Sequence, residues 1–422
     1  MFIASPRRLA AVTAGGLASA ALTVASFGAP AQAADSVITI DKTFNYECEP
    51  IITLGSDSAS LGQHPIEVRA QSTIPSVAYA GQTLAATPTT ITLHMSDNLW
   101  LANKALTHVA NAVDGSSTDS TLGLSLDGAA PNWVPIDGLS VKDAPIPVGA
   151  ENDVTPPTPW LIPTAGMVRA VAIPADAAGK DITLHMPQQF TAQALIKGGW
   201  VYGDNMEPEY VNVSTDMTCV IDQADDTLLD NPVPIEEPTA TTLSASATPA
   251  AYGASSTVAV NVSGGATGPV EVLEGNTVLA RGTVTNGAGS VKLPATLAAG
   301  THNLTVRYPE AWGFLPSTGS TSVTVSKASA SIASAKVTPK KVKAKKKAPK
   351  VTVSVAAPAG ATGAVTVTLK GKTVGTGAVV NGTATIKLKK FKKAGKQTLT
   401  VAYAGDANVS GATTTVKVKV VK

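Results

Sequence analysis

The sequence predicts an all-β protein: a disulfide-closed, sandwich-like N-terminal domain with one short helix, followed by two copies of a smaller β-sandwich. Three observations carry this. Beyond residue 238 the chain is mostly Thr, Val, Ala, Gly and Ser in short alternating runs without a helical period, as antiparallel strands with one solvated face require. Within that region a block of sequence returns after 95 residues. The chain's two cysteines, Cys48 and Cys219, sit near the two ends of the region that precedes it.

Taken in order, residues 1–33 read as a secretory signal peptide. Arg7 and Arg8 precede an apolar run from Leu9 to Phe27, which closes on Ala31-Gln32-Ala33 and predicts cleavage between Ala33 and Ala34. Gly15, Gly16 and the many small residues argue against a membrane anchor. Pro6 and Ala10 flank the arginine pair where a twin-arginine signal wants other residues, which favours general secretion. No other segment is long and apolar enough to span a bilayer, so the protein is expected to be secreted, extracellular or associated with the cell envelope.

Residues 34–223 are expected to form the first domain. In an oxidising compartment a single cysteine pair is most simply a disulfide, worth at most roughly 5 kcal/mol for a loop this long. A nucleophilic thiol or a metal ligand would want a CxxC partner or a nearby histidine, and neither cysteine has one. Leu99 to Val113 reads as an amphipathic helix, with Asp97 as its cap and Gly115 as its stop. Val68-Arg69-Ala70 followed by Ile91-Thr92-Leu93-His94-Met95 is echoed by Val168-Arg169-Ala170 followed by Ile182-Thr183-Leu184-His185-Met186. The echo predicts two equivalent strands. Residues 224–238, with five aspartates or glutamates beside Pro232, Pro234 and Pro238, read as an extended acidic linker.

The repeats are expected at 239–327 and 328–422. Gly265-Ala266-Thr267-Gly268-Pro269-Val270 returns as Gly360-Ala361-Thr362-Gly363-Ala364-Val365, and Asn286-Gly287 as Asn381-Gly382. Ala299-Gly300 with Leu304-Thr305-Val306 and Tyr308 returns as Ala394-Gly395 with Leu399-Thr400-Val401 and Tyr403. On these residues both copies resemble the bacterial Ig-like repeats of secreted and surface proteins from high-GC Gram-positive bacteria. The second copy continues as Ala404-Gly405-Asp406-Ala407-Asn408, close to that family's ending, whereas the first departs with Pro309-Glu310-Ala311-Trp312-Gly313-Phe314. The resemblance implies two Ig-like β-sandwiches acting as a spacer, stalk or adhesion module, without chemistry. The N-terminal region is similar to β-domains of unassigned function that precede such repeats.

Catalytic and metal motifs are not found. The five histidines show no HxH or HExxH spacing, there is no G-x-S-x-G elbow, and Asp114-Gly115, Asp127-Gly128 and Asp137-Gly138 read as turns and not calcium loops. His94 and His185 would approach each other only if their echoed strands were neighbours. No enzyme activity, cofactor or metal is expected. Trp160, set among Pro156, Pro157, Pro159 and Pro163, is either an outward platform for a glycan or protein or a filler of an aromatic-poor core.

Charge is segregated along the chain. Residues 35–237 hold 26 acids against 7 bases, and 336–422 hold 19 lysines against Asp406 alone. Lys340, Lys341, Lys343, Lys345, Lys346, Lys347 and Lys350 crowd the start of the last repeat, Lys389, Lys390, Lys392 and Lys393 flank Phe391, and Lys417 and Lys419 alternate with valines. An all-lysine set without arginine suits diffuse attraction to a polyanion over bidentate recognition, so the expected partners are anionic cell-envelope polymers. Specific nucleic-acid binding would want interleaved aromatics. Two alternatives stay open: the lysines protect strand edges and solubility, or the repeats are a stalk presenting an N-terminal adhesion domain.

Overall fold

The computed structural model describes residues 36–54, 57–107, 110–202, 208–358 and 360–422. The expected signal peptide and its Ala33–Ala34 cleavage site lie outside them, as does His108.

The N-terminal domain begins with β1 (Val37–Leu54), β2 (Asp57–Ser60), β3 (His64–Pro75), β4 (Ala78–Tyr79), β5 (Thr83–Leu84) and β6 (Thr87–Met95). Helix α1 (Asp97–Thr107) leads to β7 (Ala112–Ser116), β8 (Thr121–Leu126), β9 (Asn132–Pro145), β10 (Leu161–Val168) and β11 (Val171–Ala172). The domain ends with β12 (Asp181–His185), β13 (Gln189–Tyr202), β14 (Pro208–Ile221) and β15 (Val233–Glu236). Eight strands pair in the order β10-β6-β3-β1-β14-β13-β7-β9, and β9 returns to β10 through Ser140 opposite Ala165 and Ile136 opposite Val168. Every pairing in this ring is antiparallel. A sheet closed on itself leaves no unpaired edge and buries one residue in two along each strand. The sheet also runs on from β9 through β8 and β12 to β15 and β4.

Cys48 and Cys219 face each other across β1 and β14, are joined by a disulfide and are fully buried. Beside them the Tyr46 hydroxyl donates to the Pro187 carbonyl at 2.7 Å, and its ring meets Phe190 edge-on at 5.1 Å.

Two segments differ from expectation. The helix is shorter than its apolar stripe predicts: it is capped by Ser96, whose Oγ accepts from the Leu99 N–H, and Val113 and Gly115 lie instead in β7. The ring needs a strand between β13 and β9, and that pairing outweighs local periodicity. Nor is 224–238 a free spacer. Leu228, Leu229, Val233 and Ile235 are buried, and β15 pairs with β12 and β4. Alternation in Val233-Pro234-Ile235-Glu236 puts both apolar residues inward, and the prolines stand where short pairings demand few N–H donors.

The first repeat comprises β16 (Leu243–Ala247), β17 (Ala250–Ala251), β18 (Thr257–Val262), β19 (Gly268–Glu274), β20 (Thr277–Thr285), β21 (Ala288–Lys292), β22 (Gly300–Tyr308) and β23 (Ser317–Ser326). The second comprises β24 (Ser331–Thr338), β25 (Lys341–Lys343), β26 (Lys350–Ala356), β27 (Ala364–Leu369), β28 (Lys372–Ala378), β29 (Thr383–Lys387), β30 (Gly395–Tyr403) and β31 (Ala412–Val421). In the second, a β24-β26-β29 sheet faces a β25-β31-β30-β27-β28 sheet, and the first has the same pairings joined through β20–β21. Buried Val258, Val260, Val270, Val272, Leu304 and Tyr308 recur as Val351, Val353, Val365, Val367, Leu399 and Tyr403. Asn286-Gly287 has φ of 49° and 79°, and Asn381-Gly382 50° and 71°, the paired positive values of a tight hairpin turn that matches strand twist.

The loop that follows the equivalent tyrosine of each copy, Tyr308 or Tyr403, docks on whatever precedes that copy. In the first repeat Trp312 packs edge-on against Tyr79 at 5.5 Å, and the buried Gln82 side chain donates to the Ala311 carbonyl and accepts from the Gly313 N–H, both at 2.8 Å. In the second, Asn408 Oδ1 accepts from the Ala299 N–H, the Ala328 N–H reaches the Asn408 carbonyl, and Lys327 Nζ donates to the Asp406 carbonyl. The divergent Pro309–Phe314 sequence is therefore an adapter for the N-terminal domain.

Gln82→Ala is expected to strand buried backbone groups at a cost of about 1–3 kcal/mol each. Amide exchange at Gly313 should accelerate and small-angle scattering should report a wider spread of shapes. Unchanged exchange at Gly313 would refute the clamp.

Candidate functional site

Strand register decides where the lysines go. Lys341 lies opposite Lys419 in the β25–β31 pairing, Lys419 opposite Lys396 in β30–β31, and Lys350 opposite Lys387 in β26–β29. The turns at the same end bear the others: Lys345, Lys346 and Lys347 before β26, Lys370 in the β27–β28 hairpin, and Lys389, Lys390, Lys392 and Lys393 between β29 and β30. Backbone bonds tie these segments together, from Lys345 N to Phe391 O, Leu388 N to Pro349 O, Ala344 N to Val421 O and Lys419 N to Lys340 O. Phe391, only 4% exposed, pins the lysine loop into the core.

All the lysines singled out in the sequence are exposed: Lys340, Lys341, Lys343, Lys345, Lys346, Lys347, Lys350, Lys389, Lys390, Lys392, Lys393, Lys417 and Lys419. Among the described residues no carboxylate pairs with them. The repeat's acid, Asp406, stands at the opposite end, next to the first repeat. It accepts from the Thr362 N–H and hydroxyl, the Tyr403 hydroxyl and the Asn408 and Val409 N–H groups. Burial alone would raise its pKa, but hydrogen bonds led by Thr362 and Asn408 hold it at about 2.

Like charges directly opposite one another destabilise a sheet. Edge protection does not explain Lys419, which is paired on both sides, with Lys341 and with Lys396. The first repeat treats the equivalent surface differently. There Thr301, Ser322 and Thr324 hold the register positions that Lys396, Lys417 and Lys419 hold in the second copy.

The N-terminal domain scatters most of its candidate residues. β6 and β12, the echoed strands, are not neighbours, so His94 pairs with Glu67 at 3.0 Å and His185 lies elsewhere. One part of the echo persists: Arg69 is bidentate to Asp41 and Arg169 to Asp137, at 2.6–2.7 Å. Among the described residues no group of three or more His, Cys, Asp or Glu side chains has metal-binding geometry.

Trp160 is not an outward platform. It is 3% exposed and faces the domain interior, since the strand that follows it pairs with β6 at the capped end of the ring. Trp133, 40% exposed, is an outward indole, and alternation with buried Val134 and Ile136 is the sequence signal that places it.

A cluster that sequence reading missed joins Ser125, His185 and Asp226. Ser125 Oγ lies 2.9 Å from His185 Nε2, and His185 Nδ1 lies 2.9 Å from Asp226 Oδ1. These are the contacts of a Ser–His–Asp triad, which is recognised by geometry and not by sequence order. Here, however, Ser125 is 1% exposed and sits mid-strand in β8, opposite Thr183. Asp226 also accepts from Gln188 Nε2 at 2.7 Å, and its carbonyl accepts from Met186 N. The relay fastens the 222–230 segment to β12.

Residues 45–230 match a family of unknown function (DUF6801), and residues 243–326 and 335–421 match the bacterial Ig-like domain (group 3). The chain carries one DUF6801 domain followed by two bacterial Ig-like repeats. Ig-like modules of this kind build non-enzymatic surface or stalk proteins, and with the disulfide they suit an extracellular setting. No curated protein matches the chain. Among solved structures, the fibronectin(III)-like modules of Clostridium thermocellum CbhA are 18% identical, covering 42% of this chain and 93% of that one, with a TM-score of 0.19. The FN1-FN3 domains of chicken CNTN1 are 9% identical over 74% of this chain and 96% of that one, with a TM-score of 0.20. Likeness at that level carries no argument about the DUF6801 domain. No helix of the described residues is long and apolar enough to cross a membrane.

Asp406→Ala should cost about 3 kcal/mol, the scale of hydrogen bonds to a charged acceptor. Because its folded pKa lies below the ordinary 3.8, its stabilisation is complete above that value and is lost as pH falls towards about 2. Faster exchange at the Thr362, Asn408 and Val409 amides would report both effects, and exchange insensitive to the substitution would contradict them. A fluorophosphonate probe should leave Ser125 unlabelled in the folded chain, whereas stoichiometric labelling would make it a nucleophile.

Proposed function

We propose that this is an exported, non-enzymatic envelope protein whose second Ig-like repeat attaches electrostatically to anionic cell-envelope polymers, while the first repeat serves as the stalk of the N-terminal domain. The observation that carries this reading is the convergence of unpaired, mutually repelling lysines on the end of the last repeat that points away from the first. Such a surface gains by meeting a polyanion, which relieves the repulsion and releases counterions. Phosphate- or uronate-bearing wall polymers and anionic lipid head groups have the required chemistry. The absence of arginine suits a repeating, loosely structured partner. The docked loops at both junctions support the stalk role, since they keep the attached end and the N-terminal domain apart.

Cosedimentation of the full chain with purified cell walls tests this. Pelleting should be strong at low salt and fall at least about tenfold as salt is raised through the physiological range, in proportion to the phosphates or carboxylates neutralised. Replacing Lys396, Lys417 and Lys419 by glutamine should lower the salt slope. Retention that ignores both salt and the substitutions would turn the lysines into a solubility device and move attachment to another surface.

A further inference from the structure

The ring of eight strands is not filled by its own side chains. It encloses a cavity of about 240 Å³. Inward positions of successive strands make its wall, among them Val68, Leu93, Ile162, Val213 and Met217. Leu99 and Asn103 of α1 line one end, and Leu184, Met186 and Leu228 line the other. Small barrels of eight strands either pack their interior solid or keep room for one small ligand. Protein interiors are otherwise packed to the density of organic crystals, with few voids larger than a water molecule.

The polar atoms in that wall are the second observation. Trp160 Nε1 and Thr215 Oγ1 are buried, both residues line the cavity, and neither atom has a hydrogen-bond partner among the described residues. Other buried polar groups in the same wall are satisfied: the Thr164 hydroxyl donates to the Ile91 carbonyl at 2.8 Å, and the Thr89 hydroxyl bonds Ser72 at 2.8 Å. The indole of Trp100 in the helical cap likewise donates to the Pro147 carbonyl at 2.7 Å. A buried donor without a partner, on a residue that lines an apolar space, is unusual in a native protein and points to a missing acceptor.

Charge narrows the occupant. The cation in the lining, Arg169, is exposed and already held bidentate by Asp137. An ionised carboxylate drawn inside would therefore meet no counter-charge and lose its hydration. A neutral carbonyl is the acceptor that fits the Trp160 N–H.

We infer that the barrel of the N-terminal domain binds an uncharged, chain-like apolar molecule bearing a carbonyl, of the size and chemistry of a medium-chain acyl ester, with Trp160 Nε1 donating to the carbonyl oxygen. The site is independent of the lysine pole, more than one domain away in the chain. It gives the N-terminal domain a binding role in the interior of the fold.

The test uses the full chain with prodan, a neutral, solvent-sensitive naphthalene ketone, and methyl decanoate as competitor. Saturable one-to-one binding with a blue-shifted emission, displaced by methyl decanoate and about tenfold less well by decanoate at neutral pH, is the expected result. Trp160→Phe, which keeps the ring and removes the donor, should weaken methyl decanoate about tenfold, the scale of one buried hydrogen bond. Val213→Phe, which fills the space, should abolish binding, with unfolding midpoints confirming that both variants fold. Absence of saturable binding to the wild-type chain overturns the proposal. So does binding that survives Val213→Phe, which would be surface adsorption, or binding that is lost there but unmoved by Trp160→Phe, which would remove the carbonyl anchor.

Discussion

The pairing of β9 with β10 is the constraint on which the N-terminal domain rests. Once Ile136–Ser140 hydrogen-bonds Ala165–Val168, eight strands have no free edge and one face of every strand must look inward. The consequences reach segments that touch neither strand. Residues 112–116 must be extended to complete the circuit, so the helix before them ends early and is left to cover one end of the ring. The far end needs apolar cover as well, and Leu228 supplies it from a stretch whose composition is that of a solvated tether. The disulfide then ties β1 to β14 within the same ring, where the register already brings the two cysteines together.

A second economy governs the rest of the chain. Both Ig-like repeats use the loop after Tyr308 or Tyr403 to grip the preceding domain, but with different chemistry. Where the neighbour is the barrel, the loop offers Trp312 and backbone groups to Tyr79 and Gln82. Where the neighbour is another repeat, Asp406 organises the turn and Asn408 makes the contact. The fold of the module is thus constant while its joint is rewritten. These joints put the first repeat between the acidic N-terminal domain and the lysine-rich second repeat, whose opposite charges the sequence already keeps apart along the chain.

Much of the architecture was legible in advance. Alternation and the 95-residue step mark two β-sandwiches, and Asn-Gly at matching places marks their hairpins. These are short-range signals, set by side-chain period and by the backbone freedom of turn residues, and tertiary packing has little power to overrule them. Within the N-terminal domain the reading fails where period and pairing conflict. Val113 continues a helical stripe but is claimed by a strand, and the acidic run after Cys219 conceals four buried aliphatics. The Ser125–His185–Asp226 relay had no signal at all, because its members come from three separate elements.

The sequence by itself determined the class of fold, the two-copy organisation, the cysteine pair and the sign of charge at each end, because composition, period and repetition are properties of the chain. Only the tertiary structure decided that the lysines share one pole, that Trp160 turns inward, that the first repeat's odd loop is a joint, and that the N-terminal strands close around a cavity. Each of these depends on which strands become neighbours and in what register. That choice is made by burial and edge satisfaction over the whole domain, and no local window of residues contains it.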